Sequence, residues 1–345
     1  MTWVPLLLAD RSPVLRRLVI RDLLHRPDTD REVLELEKLM EEDPLILNLL
    51  ERQAKNGSWS SLEAEGTVSK DKVRATSFAL QRLGYFGLPK DHPAIMRGVD
   101  FIFSRQRKDG SWSIPKDYDA QSLEGGVYTM MPLQTAIPLL GIASSGHAQD
   151  KRAEVAYEWL LDQRLEDGAW PTGKIGKVYG YRAGYRRMPH SEWGCRTNST
   201  LALQCLSMHP RHRKGEAAKR ALELLLARET RDRRHLGFNV ARIIGIEPHR
   251  GNFTYHAKFD PGLVLDLCTK IGANRKDKRV NDLVRWLKEF QGPFGLWDYT
   301  PRPEASRWVT FDLLRSLSSL DESSDWLSLE PRSSYVSYPR RGKRF

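Results

Sequence analysis

Four basic residues recur at equivalent places in this sequence, each near the start of a helical segment. They are Arg74, Arg196, Lys258 and Arg307, and the three arginines begin similar phrases: Arg74-Ala-Thr-Ser, Arg196-Thr-Asn-Ser and Arg307-Trp-Val-Thr. Guanidinium groups and the free N–H groups of helix starts both favour phosphate. If the four positions share one rim, they form an anion site; the alternative is that each residue braces its own repeat.

A recurring turn positions these helical segments. Its four copies are Gln53-Ala-Lys-Asn-Gly-Ser-Trp59, Gln106-Arg-Lys-Asp-Gly-Ser-Trp112, Gln163-Arg-Leu-Glu-Asp-Gly-Ala-Trp170 and Gln291-Gly-Pro-Phe-Gly-Leu-Trp297. The spacing leaves room for a degenerate copy over residues 226–238. Asn-Gly and Asp-Gly supply the positive φ that ends a helix, and a recurrence every few tens of residues is typical of repeat architectures.

Between the turns lie pairs of segments with helical apolar periodicity. The pairs are 73–83 with 93–103, 133–142 with 153–161, 199–206 with 217–226, and 262–267 with 280–290. Each pair predicts a helix hairpin that buries its apolar face against its neighbours. The sequence therefore predicts an all-α fold: an α/α toroid of about five helix-hairpin repeats.

Three regions follow from this pattern. Residues 1–45 contain two amphipathic helical segments outside the repeat and are predicted to form an N-terminal helical cap. The toroid domain is expected over 46–325, and residues 326–345 read as a basic extended tail.

The turn resembles the QW motif of squalene cyclases, oxidosqualene cyclases and protein prenyltransferase β subunits, over roughly residues 45–320. The resemblance implies the toroid and an isoprenoid small molecule as substrate. A single toroid is the β-subunit architecture, which works with a separate helical α subunit, so the resemblance implies either a helical partner subunit or a function that has diverged.

The resemblance to the β subunits further implies zinc. These subunits hold the metal with Asp-x-Cys at one helix start and with the His of a Tyr-His phrase one repeat later. Cys195 and His256 match two of these ligands, and Tyr255 precedes the histidine. Zinc accepts this donor set.

The third zinc ligand departs from the family pattern, because Trp193 stands two residues before Cys195. The carboxylate must then come from Glu192 or Asp260, and Asp260 is favoured because it follows His256 by one helical turn. Glu192, His256 and Asp260 are the predicted acid–base residues, and Tyr255 joins the basic rim as a substrate contact. Alternatively, Cys195 is a small buried residue and His256 is a helix cap.

The squalene-cyclase branch protonates an alkene with an Asp-x-Asp-Asp acid. The sequence contains no such motif, and Asp117-Tyr-Asp119 lacks the adjacent aspartate. The leading hypothesis is a prenyltransferase- or terpenoid-cyclase-like transferase or lyase that holds an anionic substrate, such as an isoprenoid diphosphate, inside the toroid.

The alternative hypothesis is a noncatalytic toroid. The net charge is +11, and a Gly-rich basic loop over 172–187 carries three tyrosines. The rim, this loop and the tail would then bind nucleic acid or an acidic protein. The loop is otherwise a lid over the rim or a solvated surface loop.

Length and cysteine usage bound the remaining possibilities. The chain has 345 residues and three cysteines, an odd number without disulfide-framework spacing. No apolar run is long enough to span a bilayer. We expect a cytoplasmic protein with reduced thiols and no membrane span.

Overall fold

The computed structural model describes residues 3–60, 71–112, 131–175, 178–179, 187–227, 233–247 and 259–320. Nearly all regular structure in these ranges is helical. A two-stranded antiparallel pair, β1 (Lys174–Ile175) and β2 (Val178–Tyr179), lies within the predicted basic loop. In the described ranges, no helix combines the length and the apolar character that crossing a bilayer requires.

The N-terminal segment forms four short helices. They are α1 (Trp3–Leu8), α2 (Pro13–Leu18), α3 (Arg31–Met40) and α4 (Pro44–Glu51), and α2 continues into a π-helical turn over Val19–Leu23. Side-chain oxygens of Ser12, Asp30 and Asp43 cap α2, α3 and α4 by accepting from backbone N–H groups. The predicted boundary at residue 45 falls within α4.

The repeat region alternates inner and outer helices. The inner helices are α5 (Lys72–Tyr85), α7 (Pro132–Ile142), α9 (Arg196–Met208), α12 (Pro261–Ile271) and α14 (Ser306–Leu320). The outer helices are α6 (Pro93–Phe103), α8 (Lys151–Asp162), α10 (Glu216–Leu226) and α13 (Lys278–Glu289). A short helix, α11 (Phe238–Ile243), precedes α12. The four predicted hairpins are all present.

The inner helices pack side by side in chain order, α5 on α7, α7 on α9, α9 on α12 and α12 on α14. The ring closes because α11 contacts both α5 and α14. Two inner helices are buried on every side: each residue from 75 to 83 in α5 and from 196 to 207 in α9 is buried. Outer helices are amphipathic, as expected for an outer layer. The predicted α/α toroid is confirmed.

The four tryptophan turns share one set of hydrogen bonds. Each indole Nε1–H donates to the carbonyl ten residues earlier, at 2.7–2.9 Å. Each tryptophan backbone N–H donates to a hydroxyl of the next inner helix, at 2.8–3.3 Å; the acceptors are Thr76, Thr135, Ser199 and Thr310. Each turn therefore joins the outer helix before it to the inner helix after it.

Glutamine adds a tie between neighbouring outer helices. Gln53 Nε2 donates to the carbonyls of Gly57 (3.0 Å) and Ala94 (2.8 Å), and Gln106 Nε2 donates to those of Gly110 (3.0 Å) and Arg152 (2.9 Å). Ala94 and Arg152 lie in the first turns of α6 and α8. The side chain thus joins the turn to the first turn of the next outer helix.

The third turn differs from the sequence alignment. Its backbone ladder runs from Leu165 N–H to Ala169 O, which corresponds to Ala54 N–H and Ser58 O in the first turn. Arg164 therefore occupies the glutamine position, and Gln163 lies one residue earlier, where its amide contacts Asp162. The extra residue in this copy displaces the glutamine from its structural role.

The fifth turn, at Gly237, replaces the hydroxyl acceptor by a carboxylate. Gly237 has a φ of +82°, like the glycines of the other turns. Asp260, the N-cap of α12, accepts from the N–H groups of Gly237 (3.0 Å), Asn239 (2.7 Å) and Gly262 (2.8 Å). The predicted degenerate copy is thus a turn in which one buried aspartate joins α11 to α12.

Candidate functional site

The predicted basic rim has separate surroundings at each described residue. Arg74 is ion-paired with Asp71, the N-cap of its own helix, at 3.7 Å. Arg196 is fully buried, with its guanidinium 4.7 Å from the ring centre of Phe259. Arg307 donates to Asp10 Oδ2 at 3.2 Å, in the turn between α1 and α2.

Two of the three arginines are therefore already neutralised by carboxylates. Lys258 and Tyr255 lie outside the described residues. A shared anion site at the helix starts remains a prediction, and these ion pairs weigh against it.

The described zinc-ligand candidates also have separate surroundings. Cys195 is buried as the N-cap of α9, and its backbone N–H donates to Trp170 O at 2.7 Å. Glu192 is exposed, and His256 lies outside the described residues.

Asp260 fits poorly as a zinc ligand or an acid–base residue. Its Oδ1 accepts two backbone N–H groups and its Oδ2 accepts a third, so metal binding would strip the fifth turn of its bonds. Burial raises the pKa of Asp260 to about 7, and the three hydrogen bonds oppose this rise. The zinc site at Cys195, His256 and Asp260 remains a prediction, and no step below depends on it.

A cavity of about 250 Å³ lies within the ring, at the other end of the inner helices. Its walls come from the carboxyl-terminal parts of α5, α7, α9 and α12 and from the middle of α14. Leu18 and Arg21, from α2 and its π-helical turn, close one side. The N-terminal segment therefore supplies a wall of this cavity as well as a cap.

A π-helical turn borders the cavity. It is Val19–Leu23, which carries Arg21, and on another side the cavity is lined by Ser144, just after the end of α7. Such turns are frequent at functional sites because the extra residue redirects side chains. The position of Val19–Leu23 supports the cavity as the functional centre.

One cavity wall carries four charged residues from α12 and α14. Arg315 Nη2 lies 2.6 Å from Asp312 Oδ1, and Lys270 Nζ lies 2.7 Å from Asp266 Oδ2. Apolar residues also line the cavity, among them Leu18, Leu140, Met208, Val240 and Ile243. The cavity thus suits a small amphipathic molecule.

The Asp312 carboxyl is the group best placed for acid–base chemistry. Its residue is 7% exposed, and burial raises its pKa above the usual range. Arg315 opposes this rise, whereas the neighbouring Asp266 carboxylate adds to it. A carboxyl group with a raised pKa retains its proton closer to neutral pH and can donate it to a bound molecule.

Two cavity residues have buried oxygens that lack hydrogen-bond partners among the described residues. They are the Tyr85 hydroxyl, at the end of α5, and Gln204 Oε1, on α9. Burial raises the pKa of Tyr85, and the charge of Asp312 raises it further, so the phenol stays protonated. Buried polar atoms normally have partners, so these two are suited to polar groups of a ligand.

Two buried arginines connect α11 to α5. Arg82 of α5 donates from Nη2 to Ile244 O at 3.2 Å, and the guanidinium of Arg242 in α11 lies 5.4 Å from the ring centre of Phe78 in α5. Burial lowers the pKa of both side chains to about 10, which still leaves them charged at neutral pH. They fix the cavity residues Asn239, Val240 and Ile243, which α11 contributes.

Sequence analysis missed the charged cavity wall. Asp266 and Asp312 each stand between apolar residues, as Leu265-Asp266-Leu267 and Phe311-Asp312-Leu313. The sequence could have indicated this wall, because both aspartates stand in the middle of a predicted inner helix between apolar residues. Charged residues are rarely buried unless they are paired.

A second cluster, outside the cavity, has metal-ligating residue types. Glu154, His209 and His212 offer donor atoms within 4.8 Å of one another. However, Nδ1 of His209 accepts from the N–H groups of Arg211 and His212, both at 3.2 Å, so the ring proton is on Nε2, which donates to Glu154 Oε1 at 2.8 Å. His209 thus braces the α9–α10 turn and has no free nitrogen for a metal.

The chain is similar to known proteins over part of its length. The family model of the squalene-hopene cyclase C-terminal domain matches residues 37–182. The squalene–hopene cyclase of Zymomonas mobilis is 31% identical over 125 residues, which cover 35% of this chain and 18% of that protein. The lanosterol synthase of Candida albicans is 28% identical over 109 residues, or 31% of this chain and 15% of that protein. The chain thus matches less than a fifth of either relative's length.

Among solved structures, the type II terpene cyclase MstE from Scytonema is 15% identical, with a TM-score of 0.49, and the match covers 82% of this chain and 73% of that one. Structures of MstE include complexes with geranylgeranyl dihydroxybenzoate as substrate and with merosterolic acid A as product.

Proposed function

We propose that this chain, which is similar to the squalene-hopene cyclase C-terminal domain over residues 37–182, is a member of the terpenoid cyclase superfamily that binds a short isoprenoid-derived molecule in the central cavity and acts on it as a cyclase-like enzyme. The observation that carries the proposal is the buried Asp312 carboxyl in the wall of a partly apolar cavity. The substrate is short because a cavity of about 250 Å³ lies below the usual range of about 300–1,000 Å³ for ligand pockets.

In the proposed reaction Asp312 donates a proton to a carbon–carbon double bond of the substrate. A new C–H bond forms at one carbon, the other carbon becomes a cation, and Asp312 is left as a carboxylate. The Asp266 carboxylate, which lines the same cavity, stabilises this cation electrostatically. Return of a proton from the product cation to Asp312 completes the cycle and makes the step a rearrangement or ring closure.

The hydrogen bonds of the two cavity cations favour an uncharged substrate at this wall over a diphosphate bound by Arg315 and Lys270. Arg315 donates to Asp312 at 2.6 Å and Lys270 to Asp266 at 2.7 Å, so both cations already have an acidic hydrogen-bond partner. Their role is to position Asp312 and Asp266. Zinc has no part in this proposal.

The test is turnover by the purified full-length chain with short isoprenoid alcohols and hydrocarbons, with products identified by gas chromatography and mass spectrometry. Asp312→Asn preserves shape and removes the proton donor, so we expect turnover to fall by about 100-fold or more while ligand binding by calorimetry persists. Asp162→Asn, at an exposed residue of α8, is the matched control and should leave turnover unchanged.

The pH profile gives an independent check. Because the acid form of Asp312 is the active form, activity should be highest at low pH and should fall as pH rises through its raised pKa. Full turnover by Asp312→Asn, or a profile that rises with pH, would contradict the assignment.

A further inference from the structure

Arg17 and Arg21 lie on successive turns of α2 and its π-helical extension. Arg17 is 5% exposed, and Nη2 contacts Glu37 Oε1 at 3.3 Å. Its Nε and Nη1 atoms are buried and have no hydrogen-bond partner among the described residues. A buried guanidinium with two unpaired nitrogens is unusual, because leaving charged donors unpaired is costly.

The unpaired edge of Arg17 points to the same place as an edge of Arg21. A Cβ atom built on Gly87 would lie 3.2 Å from Nη1 of Arg17 and 3.8 Å from Nη1 of Arg21. The φ of Gly87 is +81°, so glycine is favoured at this position by its backbone as well as by the space. The two Nη1 atoms therefore converge beside a residue that has no side chain.

Neighbouring carboxylates engage other edges of these two arginines. Asp22 Oδ1 accepts from Nε of Arg21 at 2.6 Å, and its Oδ2 lies 4.0 Å from Arg315. The Glu37 side chain is 43% exposed, and its hydrogen bond with Arg17 is made to Nη2 and not to Nε or Nη1. No acidic group of the described residues is therefore hydrogen-bonded to the Nη1 atom of either arginine.

We propose that Arg17 and Arg21 form an oxyanion subsite beside Gly87, which binds a phosphate or carboxylate group. Guanidinium edges recognise both anions through charge-assisted hydrogen bonds, and an anion here would satisfy the buried Nη1 of Arg17. Arg21 and Gly87 also line the central cavity, so a molecule in the cavity can extend its anionic group into the subsite. The subsite adjoins the proposed substrate cavity but does not depend on catalysis there.

Calorimetry with inorganic diphosphate, at fixed ionic strength, tests the subsite in the full-length chain. We expect Arg21→Gln and Arg17→Gln each to weaken diphosphate binding by about tenfold or more. Arg31→Gln is the matched control, since this side chain lies in the same N-terminal segment and is 92% exposed. Should Arg17→Gln fail to fold, the partly exposed Arg21 decides the matter.

Geranyl diphosphate and geranic acid identify the source of the anion. Tighter binding of geranyl diphosphate than of inorganic diphosphate supports a prenyl-linked phosphate, equal binding supports free phosphate, and preference for geranic acid supports a carboxylate. Absence of binding by all three anions, or equal binding by Arg21→Gln and Arg31→Gln, overturns the subsite. Geraniol, which has no anionic group, should bind both of these variants equally.

The two proposals fail separately. Turnover of geraniol without anion binding would remove the oxyanion subsite and leave the cyclase-like function intact. Diphosphate binding that needs Arg21, together with no geraniol binding or turnover, would do the reverse.

Discussion

Four turns between the repeats bond to the next inner helix through a hydroxyl group, whereas the fifth bonds through the Asp260 carboxylate. The hydroxyls do not titrate, so the tryptophan turns hold at any ordinary pH. The carboxylate has to be buried with its charge, and its pKa rises to about 7 as a result. The same connection is therefore permanent in four places and dependent on protonation in one.

Loss of a turn tryptophan should have the largest effect. Trp170 is fully buried and its indole N–H donates to Leu160 O, so Trp170→Ala leaves a large cavity and an unpaired carbonyl. We expect unfolding free energy to fall by about 3–5 kcal/mol, and the same for Trp112→Ala. Denaturant unfolding measures this.

Phe294→Ala is the control for the tryptophan variants. Phe294 is an aromatic residue of the fourth turn but is 65% exposed, so its loss should change stability by less than about 0.5 kcal/mol. Equal losses in Phe294→Ala and Trp170→Ala would show that the turns are not packed as described.

The fifth turn should make stability depend on pH. The folded pKa of Asp260, about 7, lies above its ordinary value of 3.8, so the folded state binds the proton more tightly than the unfolded state does. The contribution of Asp260 to the unfolding free energy is then fully present below about pH 4. It is lost as pH rises to about 7, and the loss is no more than about 4 kcal/mol.

Unfolding of the wild type and of Asp260→Asn across this pH range checks the assignment. The asparagine cannot ionise, so the fall between pH 4 and 7 should be smaller in the variant, whatever its absolute stability. Parallel curves for the two proteins would assign the pH dependence to another group.

Loss of a glutamine tie should have a moderate effect. Gln106 Nε2 donates to two carbonyls, and Gln106→Ala removes both bonds. We expect a loss of about 1–2 kcal/mol in unfolding free energy, measured by denaturant titration.

Gln163→Ala should have the smallest effect, within about 0.5 kcal/mol, because Gln163 contacts only the adjacent Asp162 through its amide hydrogen bond. This contrast tests the shifted register of the third turn. A loss as large as that of Gln106→Ala would restore Gln163 to the glutamine position.

The fold could be predicted because its determinants are local. Each Gly and Trp of the turn lies within a few residues of the other, and the hairpin periodicity is read from consecutive positions, so the toroid follows from sequence. The register of the third turn could not be read, because one added residue leaves the Gly-x-Trp spacing intact and displaces only Gln163.

The site was harder to predict because its residues converge only in three dimensions. Asp266 and Asp312 come from different helices, and Arg21 comes from a segment that sequence patterns indicate only as a cap. The rim at Arg74, Arg196 and Arg307 was predicted because these residues stand at helix starts, where charged residues are easy to recognise. The cavity instead gathers side chains from later turns of those helices, where an isolated charge has no motif around it.

The ion pair between Asp10 and Arg307 joins residues 297 positions apart in the chain. On the ribosome, α1 and α2 therefore emerge long before α14, the helix that they contact, has been synthesised. The repeats between them can form hairpin by hairpin, since their turns use only nearby partners. The contacts between this segment and α14 therefore form only after α14 has been synthesised, and the loop that they close spans nearly the whole chain.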